Sequence, residues 1–318
     1  MDSQTLSSPS AGRYAPSPSG DLHLGNLRTA LFAWLFARSE GHDFVMRVED
    51  LDRVQEGAAQ RQLDDLASLG TDWDGEVLVQ STRIPQHMDA VQKLRDAGMV
   101  YECFCTRKEI QQAASAPHAA PGAYPGTCRH LTDAERQERR QVRPPALRLA
   151  ADTAEFTVYD RFAGDYTGAV DDFVLVRNDG KPAYNLAVVV DDGFQNVQQV
   201  VRGDDLLFSA PRQAYLATLL GIDIPEYVHV PLALNTEGKR LAKRDGAVTL
   251  AQLRAGGVST AQVMRMIAAS MPLAPWRGEG GPHLPETAQQ MLEVFNPDTI
   301  SREPWTVIPT DLESICCG

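Results

Sequence analysis

The sequence predicts an α/β protein centred on a doubly wound, largely parallel sheet. Three observations carry this. Strand-like and helix-like segments alternate from residue 12 to residue 97. Strand-like runs return after about residue 186. Between them lies a stretch of different composition, opened by a cysteine cluster and rich in Ala, Pro and Gly over 113–126. Alternation of this kind buries a sheet under helices on both faces, and a foreign stretch inside it reads as an insertion.

Residues 12–15 are a short strand, broken by Pro16 and Pro18 with Ser17, Ser19 and Gly20 around them. From Leu24, apolar residues at Leu27, Leu31, Trp34 and Leu35 recur at helical spacing and stop near Gly41. Phe44–Val48 is a strand ending in Glu49 and Asp50, and 55–69 and 85–97 are amphipathic helices. Residues 101–185 form the insertion, holding strands at Phe156–Val158 and Phe173–Val176. The apolar run 186–190 and residues 197–202 are read as returning strands, Phe208–Leu220 as a helix, and a shorter helical region runs to about 270. The last 48 residues carry several prolines and weak periodicity. The expected division is a disordered start over 1–11, a nucleotide-binding domain over 12–100 and 186–248, the insertion 101–185, and a helical remnant with a tail over 249–318.

Of 318 residues, 43% are hydrophobic, enough for one large or two modest cores. The net charge of −12 excludes a protein that coats RNA with its whole surface, so RNA contact would need a local basic patch. Arg129, His130, Arg136, Arg139, Arg140, Arg143 and Arg148 are such a patch, or else an ordinary solvated helix face with its loop. The longest apolar stretch is far short of the ~20 residues a membrane helix needs. The start of the chain has no signal-peptide pattern, so a cytoplasmic monomer is the expectation. Five cysteines, three of them clustered, suit metal or thiol chemistry better than a disulfide framework.

Two motifs carry chemistry. Pro16–Asn26 lies at a strand-to-helix turn, where unpaired N–H groups and the helix dipole favour anions. There His23 can donate to phosphate oxygens, and Gly25 lets a flat base approach the backbone. Gly238–Asp245 contains Lys239, Arg240, Lys243 and Arg244, cations that suit phosphate groups. Each alone is also what a plain turn or a solvated basic loop looks like. Their order and separation resemble the two signature motifs of class I aminoacyl-tRNA synthetases. Ala15–Gly20 with Arg13, Arg47–Asp52, Tyr184–Asp192 and Val201–Asp205 resemble the glutamyl and glutaminyl branch of that family. The likeness spans about residues 12–250. No room is left for an anticodon-binding domain. That shortness, with the cysteine pattern, resembles the branch that attaches glutamate to the queuosine base of tRNA(Asp).

The resemblance implies a Rossmann-like catalytic fold with an inserted zinc-binding subdomain. It implies that Arg13, Ser17, Glu49, Tyr184 and Arg202 hold L-glutamate, with Glu49 on the amino group and Arg202 on a carboxylate. Otherwise Arg13 and Arg202 would be ordinary ion-pair partners of Glu49 and Asp204. It implies that His23, Gly25, Asn26 and Lys243 hold ATP with Mg2+, His23 and Lys243 acting on its phosphates, while tRNA(Asp) bearing queuosine is the acceptor. The second signature departs from the usual Lys-Leu-Ser-Lys, reading Arg240-Leu241-Ala242-Lys243, which predicts a working but slower loop. Cys103, Cys105 and Cys128 supply three thiolates for a structural Zn2+. The fourth ligand is open among Tyr124, His118 and His130; the resemblance favours Tyr124. Cys316 and Cys317 read as free thiols.

Overall fold

A computed structural model describes residues 10–106, 108–110, 124–241, 248–271, 273–278 and 281–307. Residues 1–9, His118, Ala242, Lys243, Arg244, Cys316 and Cys317 lie outside the described residues. In chain order the elements are β1 (Ala11–Tyr14), α1 (Leu24–Ser39), β2 (Asp43–Val48), α2 (Ala58–Ser68), β3 (Leu78–Val79), α3 (Ile84–Asp96) and β4 (Val100–Cys103). Next come α4 (Asp133–Val142), β5 (Ala146–Leu149), β6 (Glu155–Asp160), β7 (Gly164–Ala169), β8 (Val174–Val176), α5 (Tyr184–Phe194), β9 (Val197–Gly203), α6 (Ala210–Leu220), β10 (Glu226–Val230) and β11 (Ala233–Leu234). The chain then forms α7 (Leu250–Ala255), α8 (Thr260–Ser270), β12 (Trp276–Gly278), β13 (Gly281–His283), α9 (Ala288–Val294) and β14 (Trp305–Thr306).

The main sheet has seven strands in the order β3-β2-β1-β9-β10-β6-β7. All its neighbours are parallel except β6 and β7. The chain winds outward from β1 to β3, then restarts at β9 on the other side of β1. Strand order thus reverses between β1 and β9, the place where open α/β sheets leave a crevice at the carboxyl ends of their strands.

Burial explains why α1 sits where it does. Leu27, Leu31, Phe32, Leu35 and Phe36 are fully buried. The helix begins at His23, whose side chain accepts from the Asn26 N–H while Asn26 caps the His23 N–H in return. Its far end lies flat on β1 because residue 12 is glycine: a Cβ there would sit 2.8 Å from the Ala37 Cβ.

Three findings differ from the sequence expectation. Leu186–Val190 belongs to helix α5, not to a strand. A continuous apolar run does not distinguish a buried strand from a buried helix, and here Leu186 and Val189 pack beneath α3 and α6. Strands β6 and β7, inside the segment expected to be foreign, extend the main sheet, with Tyr227 of β10 paired to Asp160 of β6. A separate antiparallel sheet, β4-β5-β8, forms the rest of that segment's framework. Finally, the weakly periodic residues after 271 are part of the core: Ala288, Met291, Ile300 and Val307 are buried, and Phe295 packs edge-on against Phe36 at 5.2 Å. Among the described residues no helix is long and apolar enough to cross a membrane.

Candidate active site

A cavity of 710 Å³ opens at the reversal point between β1 and β9. It collects residues from separated stretches of the chain: Arg13 to Asn26, from β1 through the turn into α1, then Glu49 after β2, Tyr184 at the start of α5, and Arg202 in β9. Arg240 reaches it from the hairpin after β11. Every described residue expected to hold glutamate or ATP therefore lines one space. Lys243 is the exception, lying outside the described residues.

The charges inside are arranged unequally. Arg13 is buried and reaches Asp192 Oδ1 only at 3.4 Å, whereas Arg47 donates to the same oxygen at 2.6 Å. Arg47 also donates to Glu49 Oε1 at 3.4 Å and to Gln195 Oε1 at 2.9 Å. Burial pushes the Asp192 carboxyl upward, but Arg47 and Arg13 outweigh it and hold it below the usual carboxylate range. Glu49 shows the opposite balance. Burial raises it, Arg47 and Arg13 pull it back only in part, and it stays above its ordinary value. A substrate cation beside Glu49 would supply what the protein does not.

Arg202 is 5% exposed, and among the described residues no carboxylate lies within ion-pair distance of it. Its Nε donates to His229 Nε2 at 2.9 Å, Nη1 to Gln213 Oε1 at 2.8 Å, and Nη2 to the Leu206 carbonyl at 3.4 Å. The ordinary ion pairs that sequence suggested for Arg13 with Glu49 and for Arg202 with Asp204 are not formed; Arg13 turns to Asp192 and Arg202 to neutral acceptors. A buried guanidinium without an anion is costly, and a ligand carboxylate would relieve it.

On the other side of the cavity, His23 Nδ1 accepts from the Asn26 N–H at 3.3 Å. That bond leaves the ring proton on Nε2, where it can donate to a phosphate oxygen. The glycine at 25 has a packing reason as well, since a Cβ there would meet the Ala233 Cβ at 3.1 Å and the His23 ring at 3.2 Å. Arg240, in the second signature, donates to Asp205 Oδ2 at 2.5 Å. Tyr184 is 45% exposed and faces both this cavity and a neighbouring groove of 360 Å³.

The cysteine cluster is a separate centre. Cys103, Cys105 and Cys128 bring their sulfurs within 4.8 Å of one another. The Tyr124 phenol lies 3.3 Å from Cys103 Sγ and 3.6 Å from Cys105 Sγ, and Cys105 Sγ lies 3.6 Å from Cys128 Sγ. Sulfurs bound at about 2.3 Å around a tetrahedral ion stand about 3.8 Å apart, so these four atoms fit one metal. His130 is exposed and outside the cluster. Arg148 stacks on the Tyr124 ring at 3.7 Å.

The arginine patch largely spends its charge on its own chain. Arg129 pairs with Asp172, Arg136 with Asp133, Arg140 with Glu102 and Arg143 with Glu109. Sequence reasoning gave no role to Asp192, His229, Gln213 or Asp160. The only sequence signal for His229 is a polar residue between buried Val228 and Val230, and the partner it meets is set by strand register.

Comparison with known proteins agrees with this geometry. The family model described as tRNA synthetases class I (E and Q), catalytic domain, matches residues 11–312. A glutamyl-Q tRNA(Asp) synthetase of Nocardia farcinica (strain IFM 10152) is 59% identical over 303 residues, covering 95% of this chain and 94% of the relative. One of Cutibacterium acnes (strain DSM 16379 / KPA171202) is 54% identical over 268 residues, covering 83% and 76%. The crystal structure of a glutamate tRNA ligase from Elizabethkingia meningosepticum CCUG26117, in complex with its amino acid, superposes with a TM-score of 0.79 at 26% identity, over 97% of this chain and 69% of that one.

Proposed function

Because this chain belongs to the glutamate and glutamine branch of the class I tRNA synthetases, we propose that it activates L-glutamate with ATP and transfers it to the queuosine base of tRNA(Asp). The chain is a ligase of aminoacyl-tRNA synthetase type, with activity of the glutamate–tRNA ligase kind. The queuosine acceptor is taken from the names of its relatives.

The single observation that carries the glutamate reading is Arg202: a buried cation with only neutral partners among the described residues, facing a cavity that also holds Glu49. In this reading Arg202 takes a carboxylate of the amino acid, Arg13 adds a second cation, Glu49 pairs with the ammonium, and Ser17 and Tyr184 close the sides. The α-carboxylate oxygen attacks the α-phosphorus of ATP, the bond to the β-phosphate oxygen breaks, and pyrophosphate leaves. No general base is needed, so the protein contributes position and charge. His23 donates to the phosphates, Gly25 and Asn26 hold the turn beneath the nucleotide, Lys243 completes the phosphate side, and Mg2+ accompanies ATP. A hydroxyl of the acceptor nucleoside then attacks the acyl carbon and AMP departs. Cys103, Cys105, Tyr124 and Cys128 would hold zinc in a structural role, since no step calls for a metal-bound water.

The test is transfer of labelled glutamate to tRNA pools with and without queuosine. Label confined to the queuosine-containing pool supports the proposal. Equal label in both pools points to charging of tRNA(Glu), and no label in either removes the transferase reading.

A further inference from the structure

Arg202 is held by an arrangement that the reaction itself does not explain. His229 of β10 sits directly opposite Arg202 of β9 in the parallel register. Its Nδ1 donates to Asp160 Oδ2 at 2.7 Å, and its backbone N–H donates to the same oxygen at 3.0 Å. The other oxygen of Asp160 accepts from the Phe162 and Ala163 N–H groups at 3.0 and 2.8 Å. Four donors therefore fix this carboxylate, and it is fully buried at the end of β6. With its proton committed to Asp160, the imidazole presents a lone pair on Nε2, and the Arg202 Nε–H donates into it. Burial and the Arg202 charge both hold the His229 pKa below its ordinary value, against the pull of Asp160, which keeps the ring neutral.

The chemical consequence concerns charge. A carboxylate placed beside Arg202 would fix its orientation but also neutralise it. A neutral imidazole fixes the orientation and leaves the charge for the ligand. Gln213 does the same on Nη1, and is itself held by donating to Asn185 Oδ1 at 3.1 Å. Of the five N–H groups on a guanidinium, three are directed at protein acceptors, leaving one on each Nη for a ligand.

We infer that Asp160 and His229 are positioning residues for substrate carboxylate recognition: Asp160 sets the tautomer of His229, and His229 aims Arg202 into the cavity without neutralising it. The inference rests on the reading of the cavity as the glutamate site. It assigns a function to the junction of β6 with β10, where the hairpin β6–β7 joins the main sheet.

The experiment compares His229→Gln and His229→Asn with the unmodified enzyme, measuring KM and kcat for glutamate and ATP in glutamate-dependent pyrophosphate release. A glutamine places an acceptor where Nε2 stood; an asparagine is too short to reach Arg202 but can still meet Asp160. H229N raises KM for glutamate by about tenfold or more, the loss expected when a charge-assisted hydrogen bond is removed. H229Q stays within about threefold of the unmodified enzyme, and KM for ATP moves little in either. Equal effects of the two variants, or a parallel rise in KM for ATP, would overturn the positioning role and leave His229 a folding element. Arg202→Ala is the control for the underlying reading. If R202A leaves KM for glutamate unchanged, the glutamate site itself is misplaced. If R202A raises it and H229N does not, only the role of His229 fails.

Discussion

The cavity and the cysteine cluster are built on opposite principles. The cavity draws on stretches scattered between Arg13 and Leu241, and the main sheet holds them together. The cluster draws on residues 103–128 alone, with a small buried group of Tyr101, Cys103, Phe104, Tyr124 and Cys128 beneath it. A site made by the whole fold has its shape without a ligand, because the core fixes each strand end. A site made by one short stretch has too little apolar surface to fix itself, and a bound metal would supply the missing constraint. Perturbing one should therefore leave the other largely alone.

The largest expected effect is at Arg202. Arg202→Ala removes the carboxylate anchor and lowers kcat/KM for glutamate by about a hundredfold or more, measured by glutamate-dependent pyrophosphate release. The cluster's metal content, read by elemental analysis, should not change.

Asp192 comes next. Asp192→Ala leaves Arg47 and Arg13 buried without their shared carboxylate. Chemical denaturation should show a loss of about 3–5 kcal/mol. A smaller loss would mean that Gln195 and Glu49 already satisfy Arg47.

Metal removal sharpens the comparison from the other side. Chelation should increase proteolysis within the 103–128 region and lower the melting temperature, while KM for glutamate stays within about threefold, as expected where two sites share no hydrogen-bonding residue among the described ones. Cys128→Ser should reproduce this without chelator. A collapse of glutamate binding on chelation would show that the two centres are one cooperative unit.

The smallest effect is a pH dependence. Glu49 lies above its ordinary pKa, so it is ionised and able to pair with the substrate ammonium only above that raised value. As pH falls through it, Glu49 takes up a proton and KM for glutamate rises, approaching about tenfold per pH unit. Glu49→Gln has a higher KM throughout. Its KM begins to climb only where the substrate's own side chain titrates, near pH ~4.3. If both proteins climb at the same pH, Glu49 is not the ammonium partner.

What sequence could and could not show follows the same division. The strands and helices from Ala11 to Asp96, apart from the two-residue β3, are legible because their apolar spacing is simple and their breaks are prolines and glycines. The cysteines are legible because their spacing is short. Leu186–Val190 reads as a strand yet folds as a helix, because a buried helix and a buried strand give the same apolar run. The hairpin Glu155–Ala169 looked foreign because nothing local tells a strand which sheet it will join. His229 and Asp160 stayed hidden for a related reason. The pairing of His229 with Arg202 depends on the register of β9 and β10, and Asp160 arrives from a strand far earlier in the chain. The residues after 271 showed little periodicity because their buried side chains, such as Met291 and Ile300, are scattered among short elements.

The most direct test of the central claim is a crystal structure with a non-hydrolysable analogue of glutamyl-adenylate. The account predicts a ligand carboxylate ~3 Å from Arg202, with its ammonium against Glu49 and the adenylate phosphate beside His23. An analogue bound with no carboxylate at Arg202, or with its amino group turned away from Glu49, would contradict it.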